Sequence, residues 1–250
     1  MRLQGGYATT AAGSPNTCLC QRHTEMIGLE TGSQIKLFRV LTNLTTMQRP
    51  PIQQQNKVRI IAGEYRSRKL DFPSVKGLRP TSDRIRETLF NWLQESIPGE
   101  ACLDLFAGSG ALGLEALSRG AVRVDFIEKN TLAANAIRNN IDRLGANNGN
   151  VYCADALQWL DQNAQSADRY GLIFLDPPFQ EQLLEATIAK LETTTILKEG
   201  CLVYVEKQEQ TIVDGMPDNW TEIKNKKAGS VRYSLYQVAR EEEPQKDNLI

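Results

Sequence analysis

The stretch of sequence that decides the fold is CLDLFAGSGALGLEAL, residues 102–117. Its apolar first half predicts a β-strand, and its small residues predict a tight turn that leads into a helix. Four further strand-like runs follow and alternate with segments of helical periodicity. The five predicted strands span residues 101–106, 122–128, 150–153, 170–175 and 201–206, and the helices between them span about 110–119, 130–144, 155–164 and 180–193. This alternation predicts an α/β fold with a parallel, doubly wound sheet.

Downstream of this alternation the pattern changes to paired strands. Two strand-like runs, at residues 220–226 and 231–238, are separated by a short turn-forming stretch. They predict a hairpin that closes the sheet. The sheet domain is therefore expected over residues 100–240, followed by an acidic tail over residues 241–250.

Upstream of the sheet the sequence predicts a smaller element and an extension. Residues 57–99 contain two strand-like runs around a turn and then a helical pattern, whose N-cap would be Thr81, Ser82 or Asp83. Residues 1–56 are rich in Thr, Gln, Gly and Ser and end in breaker residues. We expect a disordered extension there, with an organelle transit peptide as the alternative.

The composition excludes several classes of protein. The 250 residues include a single histidine, His23, so a histidine-based catalytic triad or a histidine-rich metal site is not expected. No apolar run approaches the roughly 18 residues of a membrane span, and the first 30 residues lack the pattern of a secretory signal. Five cysteines, an odd number, indicate a reducing, cytoplasmic location. Three of them, Cys102, Cys153 and Cys201, lie in apolar runs and are expected to be buried.

The charge of the chain is unevenly distributed. Its 29 basic and 30 acidic residues give a net charge of −1, which by itself argues against a nucleic-acid partner. Residues 57–90, however, hold nine basic and four acidic residues, whereas residues 91–250 hold 15 basic and 24 acidic residues. A basic arm on an acidic body can attract phosphates, so we expect RNA to dock on the arm.

Polar residues follow the first three strands of the predicted sheet, where ligands of open α/β sheets bind. The first strand runs into Gly108, Gly110 and Gly113, a G-x-G-x-x-G pattern that is weak evidence for a dinucleotide when taken alone. Glu128, 20 residues after Gly108, could accept both hydroxyl groups of a ribose. Asp155 could accept an adenine amine or cap the next helix.

The fourth strand ends in the most specific motif of the chain, Asp176-Pro177-Pro178-Phe179. Two prolines remove two N–H donors and stiffen the turn. The Asp176 carboxylate and a backbone carbonyl are then acceptors that face the crevice at the carboxyl ends of the strands, where ligands bind. Two acceptors beside an aromatic ring suit a planar group that carries an amine, such as a base that has left its stack.

Together these residues resemble the class I S-adenosylmethionine-dependent methyltransferases, and Asp-Pro-Pro-Phe resembles their motif for methylation of exocyclic or amide nitrogens. The match extends further to the bacterial 16S ribosomal RNA guanine-N2 methyltransferase family, of the guanine-966 type. It is carried by the segments at residues 58–63, 66–70, 78–90, 104–113 and 176–179 and covers roughly residues 57–240. The first 56 residues depart from the family.

The resemblance implies a fold, a cofactor and a set of roles. It implies a Rossmann-like seven-stranded sheet whose last strand is antiparallel, with a small N-terminal hairpin and helix extension. It further implies that S-adenosylmethionine is the cofactor, that 16S RNA in a 30S subunit or an assembly intermediate is the substrate, that no metal is needed, and that the enzyme is a monomer. Implied cofactor residues are Asp104, Phe106, Gly108, Gly110, Glu128, Asp155 and Ala156, and implied catalytic residues are Asp176, Pro177 and Phe179. On the basic arm, the expected RNA-binding residues are Arg59, Arg66, Arg68, Lys69, Arg79 and Arg84, and we expect the segment over residues 79–87 to close over the cofactor crevice.

Four other functions remain open at this point. A protein-glutamine methyltransferase would more often have Asn in place of Asp176. A DNA adenine-N6 methyltransferase would share the Asp-Pro-Pro turn, although no separate target-recognition domain is visible. A dinucleotide-dependent oxidoreductase would need the glycine loop to hold a diphosphate and gives no reason for the turn after the fourth strand. An RNA-binding module without catalysis would use the basic arm alone.

Overall fold

The computed structural model of the chain describes residues 30–31, 34–35, 55–75, 78, 80–178, 181–213 and 215–239. The chain divides into two compact units, residues 1–49 and residues 50–250. In the first unit, strand β1 (Glu30–Thr31) pairs antiparallel with strand β2 (Gln34–Ile35). The elements described next belong to the second unit.

A hairpin and a helix precede the sheet, as the sequence predicts. Strand β3 (Gln55–Arg59) pairs antiparallel with β4 (Lys69–Pro73), and helix α1 spans Asp83–Trp92. Of the three candidate N-cap residues, Ser82 fills the role, because its hydroxyl accepts a hydrogen bond from the backbone N–H of Ile85 (3.4 Å). The Thr81 hydroxyl and the Asp83 carboxylate are not needed as caps and make other contacts.

A seven-stranded mixed sheet follows. Its strands are β5 (Ala101–Asp104), β6 (Arg123–Ile127), β7 (Gly149–Tyr152), β8 (Tyr170–Leu175), β9 (Leu197–Gln208), β10 (Trp220–Ala228) and β11 (Val231–Val238). Their order across the sheet is β10-β11-β9-β8-β5-β6-β7. Strands β5 to β9 run parallel to their neighbours among themselves, whereas the last strand, β11, is antiparallel to both β9 and β10. This confirms the predicted mixed sheet with an antiparallel last strand.

The two faces of the sheet carry separate apolar cores, because successive residues of a strand point to opposite faces. In β8, Phe174 packs into the first core and Leu175 into the second. The hairpin, α1, α2 and α3 share the first core, and α4 and α5 share the second. These helices are α2 (Ala111–Ser118), α3 (Thr131–Leu144), α4 (Ala156–Asn163) and α5 (Glu181–Glu192).

The carboxylate of Glu115, fully buried on α2, joins the hairpin and α1 to the sheet domain. It accepts hydrogen bonds from the backbone N–H groups of Ile61 (2.7 Å) and Ala62 (3.0 Å), which lie just after β3. It also accepts a hydrogen bond from Nε of Arg119 (2.8 Å) and lies 3.6 Å from Nη1 of Arg86. One side chain thus satisfies two backbone donors and compensates two cations.

Arg86 on α1 is the buried cation of this arrangement. Its Nη2 donates to the backbone carbonyl of Arg59 (2.8 Å) and to Oδ1 of Asp83 (2.6 Å). Arg86 therefore stabilises the packing and does not belong to the basic surface. The surface charge of residues 57–90 is smaller than the sequence count indicates.

The prediction that three cysteines are buried is correct for two of them. Cys102 and Cys201 are buried, in β5 and β9. Cys153 is exposed, and the prediction was wrong there because the residue follows β7, which is an edge strand of the sheet. None of the helices in the described part of the chain has the length and apolarity that crossing a membrane requires.

We expect Glu115→Ala to destabilise the protein by about 3–5 kcal/mol, because it removes a buried ion-pair partner of Arg86 and leaves two backbone N–H groups without their acceptor. The free energy of unfolding in urea measures this loss. Glu87→Ala, on the exposed side of α1, is the matched control and should change stability by less than about 0.5 kcal/mol. Equal effects of the two substitutions would contradict the role given to Glu115.

Candidate active site

Five carboxylates gather at the edge of the sheet where the parallel strands end. Since β5, β6, β7, β8 and β9 run in the same direction, the residues that follow them meet at one edge. Asp104 ends β5, Glu128 follows β6, Asp155 lies three residues beyond β7, Asp176 follows β8, and Glu206 lies near the end of β9. The sequence predicts the first four of these as site residues, and the structure brings them to the same edge.

The glycine loop after β5 is held in place by Glu128. Oε2 of Glu128 accepts a hydrogen bond from the Gly108 N–H (2.7 Å), and Oε1 accepts one from the Asn130 N–H (2.6 Å). Gly108 and Gly110 both have positive φ angles, 53° and 74°, which favour glycine. Burial raises the pKa of the Glu128 carboxyl. Glu128 therefore links the loops after β5 and β6.

Asp104 is a second carboxylate that binds the segment after β5. Its Oδ2 accepts a hydrogen bond from the Gly113 N–H (3.1 Å) at the start of α2. The side chain is only 2% exposed, and this burial raises its pKa to about 7, although the hydrogen bond from Gly113 opposes the rise. A Cβ atom at residue 113 would lie 2.2 Å from the ring of Phe126, so only glycine allows α2 to pack this closely on β6.

Asp155 is the N-cap of α4. Its Oδ1 accepts hydrogen bonds from the N–H groups of Leu157 (3.1 Å) and Gln158 (3.4 Å), and its Oδ2 accepts one from Nζ of Lys129 (3.1 Å). The hydrogen bond from Lys129 lowers the pKa of Asp155. Of the two roles that the sequence leaves open, the capping role is the one with contacts in the structure. Ala156 is buried as the first residue of α4.

The Asp176 turn makes contact with the hairpin–helix extension. Oδ2 of Asp176 accepts a hydrogen bond from the hydroxyl of Thr81 (3.1 Å), which lies just before the N-cap of α1 and is 8% exposed. Desolvation raises the pKa of Asp176, and the neighbouring Glu206 raises it further. Pro177 is buried and Pro178 is exposed.

The turn keeps acceptors available. Among the described residues, no hydrogen bond is made to the backbone carbonyls of Asp176 and Pro177. With the carboxylate, they form a group of acceptors on a rigid turn, as the two prolines predict. Such a group suits an amine that donates two hydrogen bonds.

Glu206 is the carboxylate that the sequence did not single out. It is 5% exposed on β9, and Oε2 accepts a hydrogen bond from the hydroxyl of Tyr204 (2.7 Å). Burial raises the pKa of Glu206. The signal was present, because the predicted strand over residues 201–206 ends at this residue and the same rule had identified Asp176. Thr81 was considered only as a helix cap, and its contact with Asp176 is not local in sequence.

Comparison with known proteins identifies the family. A family model described as "Conserved hypothetical protein 95" matches residues 58–237. The chain is 44% identical over 191 residues to ribosomal RNA small subunit methyltransferase D of Escherichia coli (strain K12), covering 76% of this chain and 95% of that relative. A relative of the same name from Haemophilus influenzae is 44% identical over 186 residues, covering 73% of this chain and 95% of the relative. The chain belongs to the ribosomal RNA small subunit methyltransferase D family.

The fold of solved relatives agrees with this assignment. The structure of a putative methyltransferase, yhhF, from Escherichia coli has a TM-score of 0.68 and 42% identity, and the match covers 74% of this chain and 99% of that one. Because the match covers residues 58–237, the hairpin, α1 and the whole sheet belong to the part shared with the family. The resemblance inferred from the sequence motifs is confirmed.

In this methyltransferase family member, the exposed cations of the arm lie on the hairpin and α1. Arg59, Arg66, Lys69 and Arg84 are exposed, and none of them takes part in an ion pair among the described residues. Arg68 is also exposed, and its Nη2 donates to the backbone carbonyl of Arg143 (2.8 Å).

Two of the predicted site residues, Phe179 and Arg79, lie outside the described residues. Phe106 follows β5 and is partly buried against the second core. The roles of these residues stay predictions.

Proposed function

We propose that this chain transfers a methyl group from S-adenosylmethionine to the exocyclic N2 amine of a guanine in 16S ribosomal RNA. One observation carries the proposal: the Asp176 turn and the glycine loop end neighbouring parallel strands, β8 and β5. The loop would hold the methyl donor, and the turn would hold the amine. The names of the relatives support a ribosomal RNA substrate.

The loop residues fit a cationic cofactor. Asp104 and Glu128 bind the loop, Asp155 lies at the same edge of the sheet, and S-adenosylmethionine carries a sulfonium and an ammonium group. A cation close to Asp104, whose pKa is about 7, would favour its ionised form. Each Glu128 oxygen accepts one backbone N–H and retains a lone pair for a ribose hydroxyl.

The cofactor would be held by the residues that the sequence analysis identified. Bound there, S-adenosylmethionine supplies an electrophilic methyl group. Asp104, Phe106, Gly108 and Gly110 would border its methionine half, Glu128 would hold the ribose, and Asp155 with Ala156 would border the adenine.

A dinucleotide fits the same loop poorly. A diphosphate is bound by free backbone N–H groups. Here the N–H of Gly108 donates to Glu128, that of Gly110 to the carbonyl of Ala107 (2.6 Å), and that of Gly113 to Asp104. The donors are in use and the acceptors are anionic, so a diphosphate would be repelled.

The chain contributes to the reaction mainly by positioning the acceptor. The guanine amine would donate hydrogen bonds to Asp176 and to the carbonyl of Pro177, and the ring of Phe179 would stack on the base. Asp176 is itself fixed by Thr81. This arrangement aligns the nitrogen for attack and stabilises the positive charge that develops on it. The extra proton can leave after the transfer, so the reaction needs no histidine.

We expect Asp176→Ala to reduce methyl transfer by about 10²–10³-fold, because it removes an acceptor aimed at the developing charge. Binding of S-adenosylhomocysteine should stay within about threefold of the wild-type value, since the glycine loop is untouched. Single-turnover methylation of 30S particles and a calorimetric titration measure the two quantities.

Asp218→Ala, in an exposed turn before β10, is the matched control and should keep both values. A variant at residue 176 that retained near-full turnover would remove Asp176 from the reaction.

We further propose that RNA docks on the exposed cations of the hairpin and α1. Unpaired Arg and Lys side chains supply the phosphate contacts that dominate RNA affinity. The hydrogen bond between Thr81 and Asp176 connects this extension to the catalytic turn, so an RNA held on the arm would lie near the crevice. We place this activity in the cytoplasm, with the enzyme acting as a monomer on a 30S subunit or an assembly intermediate.

Replacing Arg66, Arg68 and Lys69 together by Ala should weaken RNA binding and lower the slope of log K against log salt by about two, since each lost phosphate contact lowers it by about 0.7–0.9. Filter binding to 16S RNA at several salt concentrations measures the slope. The matched control replaces Lys190, Lys198 and Lys224, of which the first two are paired with acidic residues. If both triple variants had the same slope, the arm would not be the docking surface.

A further inference from the structure

Asp176 and Glu206 occupy adjacent positions on neighbouring strands. In the parallel pairing of β8 with β9, Leu175 lies opposite Val205, so the next residues along the two strands are Asp176 and Glu206. Two residues before these carboxylates, the rings of Phe174 and Tyr204 are in contact in the first core, with centroids 6.3 Å apart. Side chains alternate between faces, so the two carboxylates point to the same side as these rings.

Each of these two carboxylates is held by one hydroxyl group. Thr81 donates to Oδ2 of Asp176, and Tyr204 donates to Oε2 of Glu206. No hydrogen bond in the described part of the chain involves Oδ1 of Asp176 or Oε1 of Glu206. Within the described residues, each of the two fixed carboxylates thus has one oxygen without a hydrogen bond.

Two neighbouring hydrogen-bond acceptors match a base that carries two neighbouring donors. Guanine carries two adjacent donors on its Watson–Crick edge, the N1–H and the N2 amine. Adenine carries an amine next to N1, which is an acceptor and has no hydrogen. A second carboxylate next to Asp176 therefore favours guanine and repels adenine.

We propose that Glu206 determines the specificity for guanine by accepting the N1–H while Asp176 accepts the N2 amine. This inference rests on the proposed function, because it assumes that the amine held by Asp176 is that of a guanine. Tyr204 acts as a positioning residue that fixes the Glu206 carboxylate. Glu206 supplies base recognition, and no covalent step passes through it.

The electrostatics of the pair support this role. Glu206 is buried and Asp176 is partly buried. Desolvation raises the pKa values of both carboxyls, and the charge of Glu206 raises that of Asp176 further. A guanine that donates one N–H to each oxygen would satisfy both acceptors at once. The cost of placing two carboxyls together is then offset only when the correct base is bound.

The test compares two bases at the target position of the RNA, guanine and 2,6-diaminopurine, which has the same N2 amine but no hydrogen at N1. We expect the wild-type enzyme to prefer guanine. Glu206→Gln places an amide N–H where N1 can accept it, so the ratio of kcat/KM for guanine to that for 2,6-diaminopurine should fall by about 10- to 100-fold. Glu209→Gln, three residues further along the chain, is the matched control and should keep the wild-type ratio.

The outcomes separate this proposal from the proposed function. A wild-type ratio in Glu206→Gln, with normal binding of S-adenosylhomocysteine, overturns the role of Glu206 and leaves the guanine-N2 activity intact. A wild-type enzyme that forms no N2-methylguanine overturns the proposed function itself. If Glu206→Gln does not bind S-adenosylhomocysteine, Glu206→Asp is tested in its place. Because its carboxylate is shorter, this variant should lose at least tenfold in kcat/KM on guanine and gain nothing on 2,6-diaminopurine. An unchanged kcat/KM on guanine would overturn the proposal.

Discussion

The buried Glu115 carboxylate is the interaction on which the arrangement of the active site depends. It holds the backbone just after β3 and faces the buried Arg86 of α1, so the hairpin and the helix are fixed to α2. Because α1 is fixed, Thr81 at its start reaches the Asp176 carboxylate at the end of β8. The extension and the catalytic turn are therefore parts of one rigid arrangement.

The second constraint is electrostatic. Parallel strands end at one edge, and five carboxylates lie there, of which Asp104, Asp176 and Glu206 are the most deeply desolvated. Burial raises the pKa values of all three, and the charges of neighbouring carboxylates raise those of Asp104 and Asp176 further. An edge of this kind is unfavourable by itself, and we propose that a cationic methyl donor and a base rich in N–H donors compensate its charges when they bind. The same charges make the site unsuitable for a diphosphate.

Local sequence predicted most of the fold and a large part of the site. The alternation of apolar runs, the glycine loop and the two prolines each determine local backbone geometry, and they led to the seven-stranded sheet and to Asp104, Glu128 and Asp176. The sequence could not predict contacts between distant segments. The Thr81–Asp176 hydrogen bond joins residues 95 positions apart, and the buried pair of Arg86 and Glu115 joins two helices that are separate in the chain.

The basic count of residues 57–90 overstates the surface charge, because the sequence does not show which of these side chains are buried. Arg86 raises the basic count of residues 57–90, yet it is fully buried and compensated by carboxylates. The sequence signal for Glu206 is its place at the end of a predicted strand, and no motif like the two prolines after β8 accompanies it. Only the pairing of Leu175 with Val205 brings it beside Asp176.

The most direct test of this account is transfer of a labelled methyl group to 30S particles, naked 16S RNA and DNA in parallel, followed by nucleoside analysis. The account predicts label in N2-methylguanine from the ribosomal RNA substrates and none in DNA. Label in N6-methyladenine, or label in DNA alone, would contradict it.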